Sequence, residues 1–364
     1  MKIGVLGAGQ LGRMLALAGY PLGLEFKFFN TVADAPAGQF ASLVVGQYED
    51  EKALADFVSD LDVVTYEFEN VPVNAVNILE RYVNVYPPAK ALEYSQDRLV
   101  EKTLFRDLGI PVPNFYDVTG LESLQESLLR TGFPAVLKTR RMGYDGKGQA
   151  VLRSEADVKE AWQSLQGNAL ILESFVGFER EVSMISVRSK TGETKFYPLT
   201  ENHHREGILR KSIAPAPSLT DELQTQAETY AKRVLERLEY VGVLAIEFFV
   251  KEDQLIANEM APRVHNSGHW TIEGAVTSQF ENHLRAVAGL PLGSTQTRGS
   301  SAMLNLIGVR SNVDDVLKLE NAHLHWYGKS VRPGRKVGHV TLVGETVKET
   351  QHQLILLENL LSKI

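Results

Sequence analysis

Short apolar runs alternate with helix-like stretches in the first part of the chain. Five such runs occur before residue 96, at residues 3–6, 26–29, 43–45, 63–66 and 83–86. This alternation is typical of a parallel, doubly wound sheet with helices on its faces. We therefore predict an N-terminal α/β domain over residues 1–95.

A different pattern begins near residue 96. Residues 97–108 predict a helix, and the sequence Gly109-Ile110-Pro111 ends it. Apolar runs at residues 135–139, 150–153, 170–175 and 182–187 then predict the strands of two α+β lobes. We place this second domain at residues 96–293.

The last part of the chain, residues 294–364, turns to short strands followed by a leucine-rich stretch at residues 350–362. That stretch predicts a terminal helix whose apolar face packs as core. We expect a small β-rich domain that ends in this helix.

Composition narrows the class of protein. The chain has 364 residues, 44% hydrophobic and 23% charged, which is ordinary for a globular enzyme of two or three domains. The net charge of -7 argues against nucleic-acid binding, and the lack of cysteine excludes disulfides and thiolate nucleophiles. We expect a cytoplasmic protein without a membrane partner, because the longest apolar run, near residues 241–250, is short and contains Glu247.

A lysine and three glycines lie close together in the middle of the chain. The apolar run that contains Lys138 leads into a loop with Gly143, Gly146 and Gly148. Glycine lets backbone N–H groups approach phosphate oxygens and lysine adds a positive charge, so the segment predicts a mobile phosphate cover. A solvated hairpin turn is the alternative. A Walker loop is excluded, because Gln149 stands where that motif requires lysine.

Two apolar runs farther along each contain one central carboxylate. Glu247 lies within residues 242–251 and Glu259 within residues 254–263. A charge in the middle of a buried strand is costly unless something neutralises it, and Mg²⁺ held with nucleotide phosphates would do so. The alternative is a pair of salt-bridged glutamates at a sheet edge.

The first apolar run is followed by Gly7, Gly9 and Gly12, which match the G-x-G-x-x-G pattern of a dinucleotide-binding turn. That fingerprint needs an acidic residue at the end of the second strand, where this chain has Asn30, with Asp34 farther on. Nicotinamide binding is therefore disfavoured, and a purely structural tight turn stays open.

Together these segments resemble the ATP-grasp superfamily. The resemblance rests on Lys138, the DGKG loop, the ESFV segment at residues 173–176, Glu181, Glu247 and the pair Asn258-Glu259. More narrowly, six segments resemble the N5-carboxyaminoimidazole ribonucleotide synthetase family: GAGQLGRM, ADAPAGQFA, YEFENVP, GYDGKGQ, APRVHNSGHWT and KSVRPGRKVGH. They cover essentially the whole chain in order, and they imply an ATP-grasp fold.

The resemblance implies an ATP site between two lobes. Glu173 and the adjoining backbone would read the adenine, and Glu181 would contact a ribose hydroxyl. The residues implied are Arg98, Lys138, Gly143, Tyr144, Asp145, Gly146, Lys147, Gly148, Gln149, Glu173, Ser174, Phe175, Val176, Glu181, His204, Asn258 and Glu259. Taken singly, Glu181 could be a strand-edge charge and His203-His204 a solvent-facing pair. No transition-metal site is assigned to that pair.

The segment KSVRPGRK concentrates Lys329, Arg332, Arg335 and Lys336 in an otherwise acidic chain. Arginine grips phosphate bidentately and lysine acts as a point charge, although a solvated basic turn is the alternative. The resemblance places a substrate 5′-phosphate against this segment. The substrate-binding residues it implies are Gln10, Leu11, Glu67, Lys329, Arg335 and Lys336.

The activity implied by the resemblance is an ATP-dependent carbon–nitrogen ligase that carboxylates 5-aminoimidazole ribonucleotide with bicarbonate. Arg263, His265 and Asn266 would hold bicarbonate, and Asp145 would contact the substrate with Glu67 and assist proton removal. ATP would be the cofactor, with Mg²⁺, or Mn²⁺ in its place, at Glu247 and Glu259. The family also implies a homodimer.

Other functions stay open at this point. A formate-dependent glycinamide ribonucleotide transformylase has a similar layout. Its N-terminal turn is of a GEL type, however, whereas this chain has Gln10-Leu11 at that position. A dinucleotide-dependent oxidoreductase would explain the first glycine turn, yet it gives Glu247, Glu259 and KSVRPGRK no role. A non-catalytic nucleotide-binding module is disfavoured, because both metal carboxylates and the phosphate-facing lysine are present.

Overall fold

A computed structural model describes residues 1–143, 146–309 and 313–361. Within residues 1–96, four parallel strands form a sheet in the order β3-β2-β1-β4. The strands are β1 (Lys2–Leu6), β2 (Glu25–Asn30), β3 (Ser42–Val45) and β4 (Val63–Tyr66). The helices are α1 (Gln10–Gly19), α2 (Glu51–Val58), α3 (Val73–Leu79) and α4 (Ala89–Ser95), with 3₁₀ turns at Tyr20–Leu22 and Pro36–Gln39. The predicted doubly wound parallel sheet is confirmed.

The fifth apolar run, residues 83–86, does not add a full strand to this sheet. Val85 forms an isolated parallel bridge with Val64. Pro87 and Pro88 follow directly, and proline has no N–H with which to continue a ladder. The prediction of a strand at this position is therefore wrong.

Helix α5 (Arg98–Asp107) opens the second region. Asp97 caps it by accepting a hydrogen bond from the Leu99 N–H at 3.0 Å, so the helix lies where the sequence predicts. In the described chain, an antiparallel four-stranded sheet follows in the order β5-β8-β6-β7. Its strands are β5 (Phe115–Val118), β6 (Ala135–Thr139), β7 (Gln149–Leu152) and β8 (Leu170–Ser174), and its helices are α6 (Leu121–Thr131) and α7 (Glu155–Leu165).

A larger sheet contains the remaining strands. Among the described residues it has nine strands, in the order β14-β13-β9-β11-β12-β15-β17-β16, with β10 paired to β9. Its first members are β9 (Arg180–Arg188), β10 (Thr194–Phe196), β11 (Thr200–Arg205), β12 (Ile208–Ala214), β13 (Gly242–Lys251) and β14 (Gln254–Ala261). The C-terminal members are β15 (Ser300–Ile307), β16 (Ala322–Trp326) and β17 (Lys336–Gly344). Antiparallel pairing of β12 with β15 makes the β-rich C-terminal region continuous with the preceding lobe.

Helices flank this sheet on both faces. They are α8 (Asp221–Arg237), α9 (Thr271–Gly274), α10 (Gln279–Ala288), α11 (Val313–Leu317) and α12 (Val347–Leu361), with a 3₁₀ turn at Asn266–Gly268. Helix α12 begins earlier than predicted, and it buries Leu354 and Leu357 against Val340 and Leu342, as its leucine pattern indicates. Ser362, the predicted end of this helix, lies outside the described residues. Every helix in the described ranges is too short or too polar to cross a bilayer.

Candidate active site

A cavity of about 770 Å³ lies where the three regions of the chain meet. Strand alternation directs side chains into it, because Ala135 and Leu137 pack in the core of the small sheet while Val136 and Lys138 face the cavity. Most of the predicted site residues line it: Gln10, Leu11, Glu67, Arg98, Lys138, Gly143, Gly146, Lys147, Gln149, Glu173, Ser174, Phe175, Val176, Glu181, His204, Glu247, Asn258, Glu259, Arg263, His265, Asn266 and Lys336.

Five predicted residues are not in that lining. Tyr144 and Asp145 lie outside the described residues. Gly148 lies at the base of the β6–β7 hairpin, where its carbonyl accepts a hydrogen bond from the Thr139 N–H at 2.8 Å. Lys329 and Arg335 lie in the segment between β16 and β17 that leads to the lining residue Lys336.

Gly146 of the glycine loop lies against a turn of the large sheet. Gly146 has a φ of 75°, and a Cβ added there would lie 3.0 Å from the carbonyl oxygen of Glu206. Glu206 and Gly207 form the turn between β11 and β12, and Gly207 itself lines the cavity. Gly143, Gly146 and Lys147 of the loop line the cavity beside this turn.

The β13–β14 hairpin brings the two central carboxylates together. Its turn residues Glu252 and Asp253 have φ values of 50° and 54°, which is the left-handed geometry of a type I′ turn. A β-bulge between Phe248 and Glu247 then shifts the register by one residue, so Glu247 pairs directly with Glu259 across the two strands. The sequence predicted one carboxylate in each strand, and the register places them side by side.

The two carboxylates have different charge environments. The Arg98 guanidinium lies 2.9 Å from Glu259. Burial acts to raise the pKa of Glu259, but Arg98 outweighs it and lowers this pKa. Burial, and then the charge of Glu259, raise the pKa of Glu247 to about 7. The pair therefore carries negative charge that Arg98 compensates only in part.

This arrangement suits a divalent cation completed by phosphate oxygens. Mg²⁺ takes one or two protein carboxylates in nucleotide sites, and it completes its octahedron with water and phosphate. Among the described residues, no group of three or more His, Asp or Glu side chains forms a closed metal cage. Glu247 and Glu259 fit the open kind of site.

A buried lysine–glutamate cluster forms the nucleotide side of the cavity. The Glu173 carboxylate lies 2.8 Å from the Lys138 ammonium and 3.6 Å from that of Lys102. Burial acts to raise the pKa of Glu173, but the two lysines outweigh it and lower this pKa to about 2. The second oxygen of Glu173 has no partner among the described residues, so it can accept a hydrogen bond from a ligand.

Glu67 occupies the first glycine turn. It follows β4, beside the turn that follows β1, and its carboxylate accepts hydrogen bonds from the Gly9 N–H and, at 2.7 Å, from the Gly12 N–H. A Cβ added at Gly9 would lie 2.6 Å from this carboxylate, so a larger residue there would displace the Glu67 side chain. The carboxyl group of Glu67 thus already occupies the N-terminus of α1, which argues against a pyrophosphate in the same place.

Arg263, His265 and Asn266 lie together beyond β14. Arg263 pairs with Glu69, a residue that the sequence analysis did not select. Burial, and then the charge of Arg263, lower the pKa of His265 to about 3, so its ring is neutral. Both amide atoms of Asn266 are buried without a partner among the described residues. The segment therefore offers a cation and free amide groups to a small anion.

His204 contacts Glu181 directly through its Nδ1 atom. Burial acts to lower the pKa of His204, but the hydrogen bond to Glu181 and the charge of Glu247 outweigh it and raise this pKa. His203, by contrast, is exposed and pairs with Glu201. Only the second histidine of the pair faces the cavity.

The basic segment forms the loop between β16 and β17. Lys336 lines the cavity, and Lys329 reaches it by donating a hydrogen bond to the Gln10 side chain. Arg335 donates to the Ser330 hydroxyl at 2.6 Å. Burial, aided by the charges of Arg335 and Lys336, outweighs the opposing charge of Glu67 and lowers the pKa of Lys329 to about 8. A phosphate at this position would relieve that repulsion.

Sequence reasoning missed Glu69 and Lys102. Lys102 donates hydrogen bonds to the carbonyls of Ala257 and Asn258, at 3.2 and 2.6 Å. It stands four residues after Arg98 on α5, a spacing that puts both cations on one helix face. That spacing, and the second glutamate of YEFENVP, were signals available in the sequence.

Three family models match successive parts of the chain. The ribonucleotide synthetase preATP-grasp domain matches residues 1–96, the ATP-grasp domain residues 103–280, and the phosphoribosylaminoimidazole carboxylase C-terminal domain residues 301–353. The N5-carboxyaminoimidazole ribonucleotide synthase of Pseudomonas aeruginosa is 55% identical over 342 residues, 94% of each protein. The chain belongs to the N5-carboxyaminoimidazole ribonucleotide synthetase family.

Solved structures of this family superpose closely on the chain. The crystal structure of the Thermus thermophilus synthetase has a TM-score of 0.95 and 61% identity, covering 98% of both chains. The Aspergillus clavatus enzyme, solved in complex with ADP and 5-aminoimidazole ribonucleotide, has a TM-score of 0.93 and 31% identity, covering 100% of this chain and 99% of its own. The predicted family, ATP-grasp fold and ligase activity are confirmed, and the two alternative enzyme classes are not supported. The roles of individual residues stay predictions.

Proposed function

We infer that the chain catalyses the ATP-dependent carboxylation of 5-aminoimidazole ribonucleotide, giving N5-carboxyaminoimidazole ribonucleotide, ADP and phosphate in purine biosynthesis. The observation that carries this inference is the convergence on one cavity of a buried lysine–glutamate pair, two opposed carboxylates and an arginine–asparagine segment. The chain is also related to its family over nearly its whole length.

Bicarbonate is the co-substrate that we propose. It is a poor electrophile, because delocalised negative charge shields its carbon. Transfer of the γ-phosphoryl group of ATP to a bicarbonate oxygen gives carboxyphosphate and ADP. Carboxyphosphate then breaks down to phosphate and carbon dioxide, and the exocyclic amine attacks carbon dioxide and loses a proton. Positioning and charge neutralisation do most of the work in such phosphoryl transfers.

The nucleotide side would be served by the lysine–glutamate cluster. Lys138 would balance the charge of the phosphates, and Glu173, fixed by Lys138 and Lys102, would accept a hydrogen bond from the adenine amine. Glu247 and Glu259 would hold Mg²⁺, or Mn²⁺ in its place, which when bound neutralises phosphate charge. The glycine loop would exclude water that otherwise hydrolyses carboxyphosphate.

The substrate side would be served by two groups of residues. Arg263 supplies a cation to bicarbonate, and Asn266 supplies an N–H donor that no described residue uses. The basic β16–β17 loop would hold the 5′-phosphate, while Gln10, Leu11 and Glu67 contact the rest of the ribonucleotide. Asp145 remains our proposal for the proton acceptor. We also propose a cytoplasmic homodimer, following the family resemblance.

Substrate choice tests this function. ADP release should require 5-aminoimidazole ribonucleotide and bicarbonate together for full coupling to ATP, because only the acyl phosphate activates the carbon. Carbon-13 bicarbonate should appear as a carbamate carbon in the NMR spectrum of the reaction mixture. Activation by glycinamide ribonucleotide with formate, and none by the aminoimidazole substrate, would contradict the proposal.

A further inference from the structure

A stack of three histidines, two of them buried and His325 half-buried, lies between the two substrate-side segments. His269 lies just past Asn266, and His339 lies on β17 just past Lys336. His325, on β16, pairs with His339 across the sheet. The ring centroids of His325 and His339 are 4.4 Å apart with planes at 8°, and those of His269 and His339 are 4.8 Å apart. We call His269, His325 and His339 the histidine stack.

Two further side chains attach the stack to its neighbours. The hydroxyl of Tyr327 lies 2.7 Å from Nδ1 of His339, and Glu273 on α9 lies 2.7 Å from Nε2 of His325. The Tyr327 N–H also donates to the Val337 carbonyl at 3.0 Å. These contacts close the base of the basic loop, since Tyr327 precedes Lys329 and Val337 follows Lys336.

Stability does not explain the stack. His269 and His339 are 1% and 0% exposed, and burial, reinforced by the neighbouring histidines, lowers the pKa of both well below its usual range. One ring nitrogen of each has no partner among the described residues. A buried unpaired polar atom costs about 1–3 kcal/mol of folding free energy, so an apolar cluster at this position would stabilise the fold more.

Geometry offers an explanation. Flat rings packed against one another, with planes at 8° and 39°, permit fewer separations than flexible aliphatic side chains would. His269 follows the segment assigned to bicarbonate, and His339 and Tyr327 flank the loop assigned to the phosphate. A change of separation here would move one segment relative to the other, and displacement of a binding group by about 1 Å weakens productive binding strongly.

We propose that the histidine stack and Tyr327 form a positioning element that sets the distance between the bicarbonate segment and the phosphate-binding loop. The proposal rests on the proposed function, because it takes the ribonucleotide phosphate to be bound by Lys329, Arg335 and Lys336. These four residues are not part of the cavity lining, and they act through the loop and through the Arg263–Asn266 segment.

Tyr327→Phe tests the proposal because it keeps the ring and removes the hydrogen bond to His339. The dissociation constant of the ribonucleotide should rise about fivefold to thirtyfold, while that of a non-hydrolysable ATP analogue changes less than about twofold. KM for the ribonucleotide should rise in step, with KM for ATP unchanged. Titration calorimetry and steady-state kinetics give the four values.

Tyr240→Phe is the matched control. Tyr240 is 0% exposed, and its hydroxyl donates to the Val243 carbonyl at 2.7 Å, at the end of β13 remote from Glu247. The Tyr240→Phe variant should lose about as much thermal stability as Tyr327→Phe. Its affinities for the ribonucleotide and for the ATP analogue should stay unchanged. A second pair of variants tests the proposal if Tyr327→Phe does not fold. His325→Gln should weaken ribonucleotide binding. His323 is exposed on the same strand, so His323→Gln should leave ribonucleotide binding unchanged.

The outcomes separate this proposal from the proposed function. Unchanged ribonucleotide affinity in Tyr327→Phe and His325→Gln overturns the positioning role, and so does an equal loss for both ligands. Arg335→Ala identifies which inference fails. If Arg335→Ala weakens ribonucleotide binding and the stack variants do not, only the positioning role is wrong. If Arg335→Ala leaves ribonucleotide affinity intact, the phosphate placement is wrong and the positioning role falls with it.

Discussion

Two glutamates in this chain show what decides whether a buried carboxyl group stays ionised. Burial acts to raise the pKa of Glu69, but the charge and hydrogen bond of Arg263 outweigh it and lower this pKa to about 2. Glu67, two residues earlier, has a raised pKa, because burial outweighs its backbone hydrogen bonds. The difference lies in the partner: a paired guanidinium holds charge better than two neutral N–H groups.

Glu69→Gln should lower the free energy of unfolding at pH 7 by about 1–3 kcal/mol, because it leaves Arg263 without its carboxylate in a partly exposed site. The folded-state pKa of Glu69 is depressed, so its stabilisation is present above the usual value of 4.5 and is lost as the pH falls from there towards 2. Urea titrations at several pH values should show wild type and variant converging in acid.

Glu51→Gln provides the control for that experiment. Glu51 and its partner Arg81 have side chains 55% and 59% exposed, so solvent screens the pair. The loss of stability should stay below about 0.5 kcal/mol at every pH. Equal losses in the two variants would mean that Arg263 does not depend on Glu69.

At the scale of elements, two separate loops carry the two proposed phosphate sites. The glycine loop between β6 and β7 belongs to the small sheet, and the basic loop between β16 and β17 belongs to the large one. Each loop is fixed by its own hairpin base, so damage to one should not displace the other. The two sites can therefore be tested separately.

Arg335→Ala and Lys138→Ala should show a crossed pattern of binding. Loss of one charge-assisted contact, worth about 1.5–3 kcal/mol, should weaken ribonucleotide binding roughly ten- to over a hundredfold in Arg335→Ala, with nucleotide affinity little changed. Lys138→Ala should instead weaken a non-hydrolysable ATP analogue and spare the ribonucleotide. Titration calorimetry of each variant with each ligand measures the pattern.

Arg332→Ala serves as the control on the basic loop, because Arg332 is exposed and lies in the same turn. It should bind both ligands as the wild type does. If Arg332→Ala and Arg335→Ala weaken the ribonucleotide equally, the loop acts through its total charge and not through a built phosphate site.

The whole molecule is organised around a cavity that no single region encloses. The N-terminal region contributes Gln10 and Glu67, the small sheet Lys138, and the large sheet Glu259 and Lys336. A ligand that fills the cavity contacts several of these regions, so its binding energy stabilises the folded chain as a unit.

A non-hydrolysable ATP analogue with Mg²⁺ should therefore stabilise the chain against unfolding. At a hundredfold excess over the dissociation constant the gain is about 2.7 kcal/mol. In Glu259→Gln the part of this gain that depends on Mg²⁺ should disappear, because one metal carboxylate is lost, and turnover should be abolished. Thermal unfolding with and without Mg²⁺ measures the difference.

Glu252→Gln is the control for the metal site, because Glu252 lies in the turn of the same hairpin with its side chain 81% exposed. It should keep the full Mg²⁺-dependent gain. If Glu259→Gln keeps the Mg²⁺-dependent stabilisation and its activity, Glu259 is not a metal ligand.

The sequence by itself determined what depends on local pattern. Apolar runs predicted the strands of the N-terminal sheet, β6 and β13, and the break at Gly109-Ile110-Pro111 marked the end of α5. Glycine spacing and mid-strand carboxylates indicated Lys138, Glu247 and Glu259. Periodicity and turn chemistry act between neighbours in the chain, so these features are readable without a fold.

The tertiary structure decided what depends on partners far apart in sequence. Only the fold shows that Glu67 fills the first glycine turn, 55 residues from Gly12. Only strand pairing shows that β15 continues the sheet of β12, and that Pro87 and Pro88 follow a bridge where a fifth strand was expected. The Arg263–Glu69 pair and the histidine stack likewise join distant segments. Such contacts depend on register and packing, which the sequence of one segment does not encode.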